Sequence, residues 1–285
     1  MPYQARIDFL PEGKVLAECG PMRLVISASG EQGPMPRESL KAAEESFTAL
    51  EKVAGERALL GKGFLKERWK IRENLNIAML ESVLAVNDGE LTPMAAVAGA
   101  IADYVADFLV NLGVPRVAVD NGGDLAVRIG CGGAFSVGVR TDVRLREITH
   151  VINLDQSTPS WGVATSGLGG RSLTRGVASS ATVIASRSAL ADAAATSIAN
   201  ATHVDDEEIV QLPAEEVDPY TDIPGVPVTV RMGELPGEKV DLALNRARKR
   251  AEQLVEARVI FGALVAVQGE VTMTDFFREH MITCN

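Results

Sequence analysis

The stretch SSATVIASRSALADAAATSIANA, residues 179–201, predicts a strand that runs directly into a helix. Its first part is short and contains β-branched residues, which is typical of a strand. From Ser188 onward it is rich in alanine, the strongest helix former. On that helix Asp192 and Thr196 are four residues apart, so their side chains lie on the same face. The stretch therefore predicts a helix that brings a carboxylate and a hydroxyl together on an otherwise apolar surface.

Strand-like segments on both sides of this stretch indicate the fold class. Short connections separate the segments that precede it, and short connections favour antiparallel pairing over crossover connections. These segments are PRVAVD, DLAVRIG, FSVGVR, ITHVINL and WGVATSG. Near the N-terminus, KVLAEC and MRLVISAS flank Gly20 and Pro21 and predict a hairpin, and RVIFGALVAVQGEVTM is expected to return to the sheet near the C-terminus.

Apolar residues at helical spacing predict helices over 36–60, 71–86, 93–112 and about 239–257. In the third of these, Thr92 is the expected N-cap, Pro93 suits the first helical position and Gly113 ends the helix. The sequence therefore predicts an α+β fold with a mainly antiparallel β-sheet core and packed helices. We expect a single domain over 1–285, in which 204–240, rich in Asp, Glu and Pro, is an acidic surface excursion.

Composition argues against several classes of partner. A net charge of −10 disfavours a nucleic-acid surface, which needs clustered positive charge. The longest strongly apolar stretch without a charge, 91–102, is too short to span a bilayer, and the N-terminus carries charges where a signal peptide is apolar. Cys19, Cys131 and Cys284 form no C-x-x-C pair, which favours a reducing compartment. We expect a cytoplasmic protein with no nucleic-acid partner, no membrane partner and, by default, a homodimeric state.

The segment VDNGGDLAV, residues 119–127, places two glycines between two strands. Glycine allows a positive φ and leaves a backbone surface that a ligand can approach closely. Asn121 and Asp124 are also ordinary turn formers, so a plain hairpin turn is the alternative. Gly122, Gly123 and Asp124 are candidate ligand-binding residues on the first interpretation.

The segment VATSGLGGRSLTRG, residues 163–176, ends a strand in Thr-Ser-Gly and continues into a glycine-rich loop. Backbone N–H groups, hydroxyls and the guanidiniums of Arg171 and Arg175 are the groups that a phosphate or pyrophosphate site requires. The spacing matches neither a P-loop nor the dinucleotide-binding G-x-G-x-x-G pattern. The alternative is a surface loop without a ligand.

Asp192 and Thr196 admit two explanations. A carboxylate and a hydroxyl are hard oxygen ligands that suit Mg²⁺, with backbone carbonyls, water or a ligand phosphate completing the coordination shell. Alternatively, Asp192 lies in the first turn of its helix, where the helix dipole favours an anion, and Thr196 hydrogen-bonds backwards along the helix. The helix alone does not distinguish the two.

Taken in order, these motifs resemble the ApbE-like superfamily, whose type members are FAD-dependent flavin transferases. The family pattern is a G-G-D turn, an A-T-S-G strand end, a short apolar strand and a helix that opens A-D-x-x-x-T. The corresponding residues here are 122–124, 164–167, 181–185 and 191–196. AGAIAD, residues 98–103, lies where the family has K-G-x-x-x-D. The resemblance covers about 92–200.

The resemblance implies roles for the matching residues. The acid and the threonine of A-D-x-x-x-T bind Mg²⁺ in the family, which implies metal ligation by Asp192 and Thr196. Segments G-G-D and T-S-G help to line the FAD pocket in the family, which implies cofactor binding by Gly122, Gly123, Asp124, Thr165, Ser166 and Gly167. On our own inference we add Arg171 and Arg175 as groups that neutralise a pyrophosphate.

Two departures from the family pattern shape the functional hypotheses. The family lysine falls on Ala98, which can neither pair with a phosphate nor move a proton. Only LGGRSLTRGVA, without the family's histidine, separates Gly167 from Ser179. We expect a divergent branch that binds Mg²⁺ and FAD or a related small-molecule nucleotide, as a nucleotide- or flavin-dependent transferase. The alternatives are a non-catalytic nucleotide- or metabolite-binding protein with the same fold, and an enzyme that acts on another phosphorylated metabolite.

Overall fold

The computed structural model describes residues 3–130, 133–144 and 147–283. Cys131 and Cys284 lie outside these ranges. The described strands are, in chain order, β1 (Arg6–Phe9), β2 (Val15–Cys19), β3 (Met22–Gly30), β4 (Gly33–Pro34), β5 (Arg116–Asn121), β6 (Leu125–Ile129), β7 (Ala134–Val139), β8 (His150–Asp155), β9 (Ser160–Ser166), β10 (Ser180–Ala185), β11 (Ile209–Pro213), β12 (Pro227–Met232), β13 (Gly262–Val267), β14 (Glu270–Met273) and β15 (Met281–Thr283).

The described α-helices cover the predicted helical segments and add two short ones. They are α1 (Pro36–Glu56), α2 (Asn74–Val86), α3 (Val97–Asn111), α4 (Ser188–Ala201), α5 (Ala214–Val217), α6 (Gly237–Glu256) and α7 (Asp275–His280). Between α1 and α2 the chain forms three 3₁₀ turns instead of continuing as a helix.

Ten strands form one sheet in the order β1-β2-β3-β5-β6-β9-β10-β13-β14, with β4 paired to β3. Neighbouring strands in it are antiparallel, as the short connections predicted. The α+β fold with a mainly antiparallel core is therefore confirmed. The strands β7 and β8 do not join this sheet, because they pair with β15 near the C-terminus in a separate three-stranded sheet.

The main sheet is covered on both faces. On one face α1, α3 and α4 pack on the strands, and α2 and α6 pack against α4. On the other face the three-stranded sheet and α7 enclose a smaller core that includes Trp161, Ile184 and Phe277. The acidic segment 204–240 contributes the two-stranded sheet β11-β12 and α5.

Small residues let α4 lie directly on β9. A side chain at Gly162 of β9 would collide with the backbone of Arg187 and Ser188, just where α4 begins. A side chain at Gly99 of α3 would likewise collide with the backbone of Ser188. Since α4 folds back from β10, which is antiparallel to β9, α4 runs in the same direction as β9. The two glycines thus fix the start of α4 against both β9 and α3.

The beginning of α3 differs from the prediction. Residues 93–96 form a 3₁₀ turn, and α3 begins at Val97. Thr92 occupies the N-cap position of this turn and Pro93 its first position, as predicted, but the hydroxyl of Thr92 makes no capping bond and donates to the carboxylate of Asp222 instead. The reason is tertiary, because the partner comes from the acidic segment 130 residues further along the chain.

The helical run Pro93–Asn111 is also longer than the uncharged stretch within it. Its length and mean hydropathy of 1.5 would allow it to cross a membrane. The helix continues past residue 102 and includes two charged residues, Asp103 and Asp107. Both carboxylates form ion pairs with arginines. In this fold its apolar side packs into the core between α1, α4 and the sheet.

Candidate functional site

The segment at 119–127 forms a tight hairpin turn between β5 and β6. Asp120 and Leu125 are the last paired residues, and the N–H of Asn121 donates to the carbonyl of Asp124 at 3.0 Å. Gly122 has a φ of +69° and Gly123 a φ of +112°, which is the conformation that favours glycine. The N–H of Gly123 donates to Asp120 Oδ1 at 2.7 Å. The predicted turn is therefore present.

The side chain of Asn121 ties this turn to the start of α3. It is 2% exposed, and its Nδ2 donates to the carbonyl of Ala98 at 3.1 Å. Its Oδ1 accepts a hydrogen bond from the N–H of Arg23 at 3.3 Å. Asp124 directly precedes β6, in which Ala126 and Arg128 face the helices, and the same alternation directs Asp124 to that side.

Asp192 lies at the same place from the other side. It is the fifth residue of α4, beyond the first turn, and is 7% exposed. Its Oδ2 accepts a hydrogen bond from the N–H of Gly99 at 3.0 Å. The first N–H groups of a helix have no partner within that helix. Asp192 therefore caps α3 across the interface, and its position is not that of an acid at the start of its own helix.

We call the interface between α3 and α4 the seam. Two carboxylates at one end of it, those of Asp192 and Asp124, have no cation paired with them among the described residues. Burial raises the pKa of Asp192 to about 7, although hydrogen bonds from the N–H groups of Gly99 and Ala98 and the charge of Arg171 act in the opposite direction. The pKa of half-buried Asp124 is also well above its usual range, through desolvation first and then through the charges of Asp192 and Asp120. The two acids repel each other in a poorly solvated place.

Arg171 reaches this site and Arg175 does not. The guanidinium of Arg171 lies against Gly122, where a Cβ would collide with it, and donates to the carbonyls of Asn121 at 3.1 Å and Pro21 at 2.9 Å. Within the described ranges, Arg171 forms no ion pair. Arg175 pairs with Glu90 at 2.9 Å.

A hydrogen bond from the backbone of Arg175 shows that this arginine lies near the far end of α4, away from Arg171. Its N–H donates to Oδ1 of Asn200 at 2.9 Å, near the end of α4. Asn200 is eight residues beyond Asp192, which is about 12 Å along a helix. The structure thus separates the two arginines that the sequence grouped together.

The residues at the end of β9 divide between the two faces of the sheet. Thr165 exchanges a hydrogen bond with Thr182 on β10 at 2.9 Å, on the face away from α4. Ser166 alternates with Gly162 and Ala164 and therefore faces the helices. Ser166 is 5% exposed, and its Oγ has no hydrogen-bond partner in the described part of the chain. Gly167 follows directly, packed against the carbonyl of Ser179.

Ser166 and Thr196 lie at a similar height along the seam. Ser166 is four residues beyond Gly162, about 13 Å along a strand. Thr196 is eight residues beyond Ser188, about 12 Å along the parallel helix. Among the described residues, the hydroxyl of half-buried Thr196 makes no hydrogen bond, not even backwards to Asp192.

Other features of the described residues bear on metal and ligand binding. No group of three or more His, Cys, Asp or Glu side chains in these ranges could hold a metal ion by itself. Two open concavities lie along the acidic segment. One of about 480 Å³ is lined by 203–207, Ile209 and Gln211, and one of about 440 Å³ by 205–208, Glu234, Pro236 and Lys239. Neither includes a residue of the seam between α3 and α4.

Asp103 and Asp107, both on α3, form a second pair of acids, which the sequence analysis did not identify as an interaction site. Asp103 bonds Arg128 at 2.7 Å and accepts a hydrogen bond from the N–H of Ala189 at 3.0 Å. Asp107 bonds Arg128 at 2.8 Å and Arg187 at 2.6 Å. The available signal was the spacing of the two acids, four residues apart on an otherwise apolar helix.

Comparison with known proteins extends over nearly the whole chain. A family model described as AbpE bacteria matches residues 7–273. A UPF0280 protein from Methanopyrus kandleri is 43% identical over 136 residues, which are 45% of this chain and 51% of that protein. A UPF0280 protein from Methanocaldococcus jannaschii is 34% identical over 141 residues, 49% of this chain and 57% of that one. The chain thus spans about half the length of these relatives.

A solved structure shares the fold. A histidine-to-glycine mutant of the flavin transferase ApbE from Vibrio cholerae superimposes with a TM-score of 0.54 at 14% sequence identity. The similarity covers 97% of this chain and 99% of that one. The fold match therefore includes the N-terminal strands and the C-terminal hairpin, which lie outside the segment that carried the sequence motifs.

Proposed function

The chain belongs to the family described as AbpE bacteria, and from that premise we propose that it binds Mg²⁺ together with FAD or a related nucleotide at the seam between α3 and α4. We propose a nucleotide- or flavin-dependent transferase reaction at this site. One domain over 1–285, a homodimer and a cytoplasmic location stay predictions.

The observation that carries the proposal is the unbalanced charge of Asp192 and Asp124. Burial raises the pKa of both carboxylates, and the charge of Asp192 raises the pKa of Asp124 further. A buried charge without a partner is costly, and a bound cation removes that cost. Ser166 Oγ, on the helix-facing side of the same sheet, is a buried polar atom without a partner among the described residues, which supports a polar ligand on this side.

The donor set suits Mg²⁺ better than a metal held by protein alone. Mg²⁺ is commonly bound through one or two carboxylates, with water and substrate phosphates completing its octahedron. Asp192, Asp124 and the hydroxyl of Thr196 would hold the ion. When bound, Mg²⁺ would neutralise charge that develops on a pyrophosphate.

The remaining residues of the site would position the nucleotide. Gly122 and Gly123 present backbone without side chains, so a ligand can approach the turn closely. Arg171 lies over this turn with its charge unpaired by a carboxylate in the described ranges, and would pair with a phosphate oxygen. The hydroxyl of Ser166 would donate a hydrogen bond to the ligand.

A non-catalytic nucleotide- or metabolite-binding protein is the second candidate. Two observations favour it over a transferase. Ala98 contributes its N–H to the carboxylate of Asp192, so part of that carboxylate already has a structural role. The loop between Gly167 and Ser179 is short and contains no histidine that could move a proton.

Calorimetric titration of Mg²⁺ plus FAD tests the binding proposal. Wild-type protein is expected to bind FAD only with Mg²⁺, and Asp192→Asn to weaken binding at least about tenfold, while retaining an acceptor for the N–H of Gly99. Asp205→Asn, at a fully exposed carboxylate, is the matched control and should bind like wild type. No FAD binding by folded wild-type protein, with or without Mg²⁺, would contradict the proposal.

Release of AMP from FAD then separates the two candidates. AMP formed by the wild type and not by Asp192→Asn supports a transferase. Bound FAD that persists without AMP, under conditions in which Mg²⁺ is also bound, supports the binding protein.

A further inference from the structure

A short basic segment, residues 61–70, lies between α1 and α2, and we call it the protrusion. Its charge is opposite in sign to that of the whole chain. Over 57–72 there are six basic residues and one acidic residue, whereas the whole chain carries a net charge of −10. The basic residues are Arg57, Lys62, Lys66, Arg68, Lys70 and Arg72. The segment 57–72 is thus locally basic on an acidic protein.

The protrusion is held at both ends. Leu60 and Ile71 are buried at 0% and 4% exposure, and Phe64 packs against the main core. The N–H of Lys62 donates to the carbonyl of Asp222 at 3.1 Å. Since the anchors fix its ends, the protrusion presents a defined surface.

Between the anchors every side chain from residue 65 to residue 70 is exposed. Leu65 is 55% exposed and Trp69 65% exposed. A large apolar side chain in water loses the free energy that burial would give, and tryptophan suits a boundary between an apolar and an aqueous phase. The two apolar side chains alternate with the cations of Lys66, Arg68 and Lys70.

The cations at the tip are available to a partner. Among the described residues, the side chains of Lys66 and Arg68 make neither an ion pair nor a hydrogen bond. Lys70 pairs with Glu67 at 2.6 Å, and its Nζ lies 5.4 Å from the centre of the Trp69 ring. Exposed apolar groups next to unpaired cations are the combination that binds the headgroup region of an anionic bilayer.

We propose that the protrusion 61–70 docks the protein on an anionic phospholipid surface, with Leu65 and Trp69 entering the headgroup boundary and Lys66 and Arg68 contacting lipid phosphates. A nucleic acid is a poorer fit, because its backbone offers no apolar phase to Leu65 and Trp69.

This proposal concerns a surface contact and requires no membrane span. The expectation that the chain has no membrane partner rested on its apolar stretches and not on this protrusion. The proposal is also independent of the nucleotide site, because Trp69 and the anchors lie outside the seam between α3 and α4.

Vesicle sedimentation with the 285-residue chain tests the proposal. Vesicles of phosphatidylcholine alone are compared with vesicles of equal parts phosphatidylcholine and phosphatidylglycerol, at low and high salt. The wild type is expected to bind only the anionic vesicles and to dissociate at high salt. Lys66→Glu combined with Arg68→Glu should weaken binding at least about tenfold, since each basic residue contributes a severalfold factor.

Fluorescence identifies the inserting residue. The chain has two tryptophans, and Trp161 is buried, so a blue shift on adding anionic vesicles reports Trp69. Trp69→Ala should abolish the shift and weaken binding severalfold. Phe9→Ala is the matched control, because Phe9 is also 65% exposed but lies on β1, and it should bind like wild type.

Several outcomes overturn the proposal. These are equal binding to neutral and anionic vesicles, no binding to either, or anionic binding that the double charge reversal leaves unchanged. Charge-dependent binding of a single-stranded RNA oligonucleotide, with no vesicle binding, would assign the protrusion to nucleic acid instead.

Discussion

Two pairs of carboxylates lie along the seam between α3 and α4, and they differ in what balances their charge. Asp103 and Asp107 meet two arginines, Arg128 and Arg187, at distances between 2.6 and 3.5 Å. Asp192 and Asp124 have only Arg171 nearby, and its guanidinium donates to backbone carbonyls instead of to either acid.

The difference separates a structural pair from a functional one. A buried acid that is paired and hydrogen-bonded completes the fold, and removing its partner leaves a costly charge behind. A buried acid pair without a cation raises its own pKa values and is stabilised by anything that brings positive charge. The same two helices thus carry one site that is complete and one that would be completed by a ligand.

Removing the cation of the complete pair should have the largest effect. Arg128 is 6% exposed, so Arg128→Met leaves Asp103 buried beside only the more distant Arg187. The free energy of unfolding should fall by about 3–5 kcal/mol, measured by urea denaturation. Arg248→Met, which breaks an exposed pair with Glu252, is the control and should change it by less than about 0.5 kcal/mol. Equal effects would remove the distinction between buried and exposed pairs here.

Asp192 and Asp124, the pair without a paired cation among the described residues, should make the free energy of unfolding depend on pH. The folded pKa of Asp192 is about 7, against 3.8 ordinarily, so between these values the folded state holds a proton that the unfolded state has lost. The free energy of unfolding of the wild type therefore falls as pH rises through this window and levels off above it. Asp192→Asn removes the share of this fall that belongs to Asp192, so its stability should depend less steeply on pH than that of the wild type.

Comparing the wild type with Asp192→Asn measures how much stability the wild type loses when Asp192 ionises. A shift of about three pKa units corresponds to at most about 4 kcal/mol, so Asp192→Asn should gain stability over the wild type by up to that amount between about pH 4 and 8. Urea denaturation at several pH values measures it. Since Asp124 titrates with Asp192, the midpoint belongs to the pair. If the free energy of unfolding depended on pH in the same way in both proteins, the pKa of Asp192 would not be raised in the folded state.

Much of the fold was predictable because its signals are local. The hairpin at Gly20 and Pro21, the turn at 119–127 and the strand that feeds α4 are all encoded in neighbouring residues. The antiparallel order followed from short connections. The separate sheet of β7, β8 and β15 was not predictable, because β15 lies more than a hundred residues beyond β8.

The turn and the helix that carry the candidate residues were predictable from the sequence, but the contacts of those residues were not. Asp192 and Asp124 lie close enough for the charge of one to raise the pKa of the other, and Ser166 lies on the same face of the sheet. Asp192 accepts from Gly99, 93 residues away, and Thr92 bonds Asp222, and such partners leave no mark on local sequence. The pairing of Arg175 with Glu90 has the same cause.

The two arginines of the glycine-rich loop offer a further test of the proposed site. Arg171→Ala should weaken FAD binding about tenfold, because it removes the guanidinium that lies over Gly122. Arg175→Ala, in the same loop but paired with Glu90, should leave affinity within about twofold. Calorimetric titration with Mg²⁺ present measures both. If Arg175→Ala alone weakened binding, the nucleotide would lie toward the end of α4.

The smallest expected effect concerns two buried serines near α4. Ser166 Oγ has no partner in the described ranges, whereas Ser197 Oγ donates to Asp88 at 2.7 Å and accepts from Arg250 at 2.9 Å. Ser197→Ala should lower the free energy of unfolding by about 1–3 kcal/mol, because it leaves charged partners unsatisfied. Ser166→Ala should leave it unchanged or raise it by less than about 1 kcal/mol, since a buried hydroxyl without a partner only costs free energy.

Ligand affinity should show the opposite order for these two serines. Ser166→Ala is expected to weaken FAD binding a fewfold, because the hydroxyl has a partner only when the nucleotide is bound. Ser197→Ala should not change FAD affinity, since its hydroxyl is already committed to Asp88 and Arg250. Urea denaturation and calorimetric titration on the same two proteins give both orders. A Ser166→Ala variant that loses stability without losing affinity would make this hydroxyl part of the fold and remove it from the site.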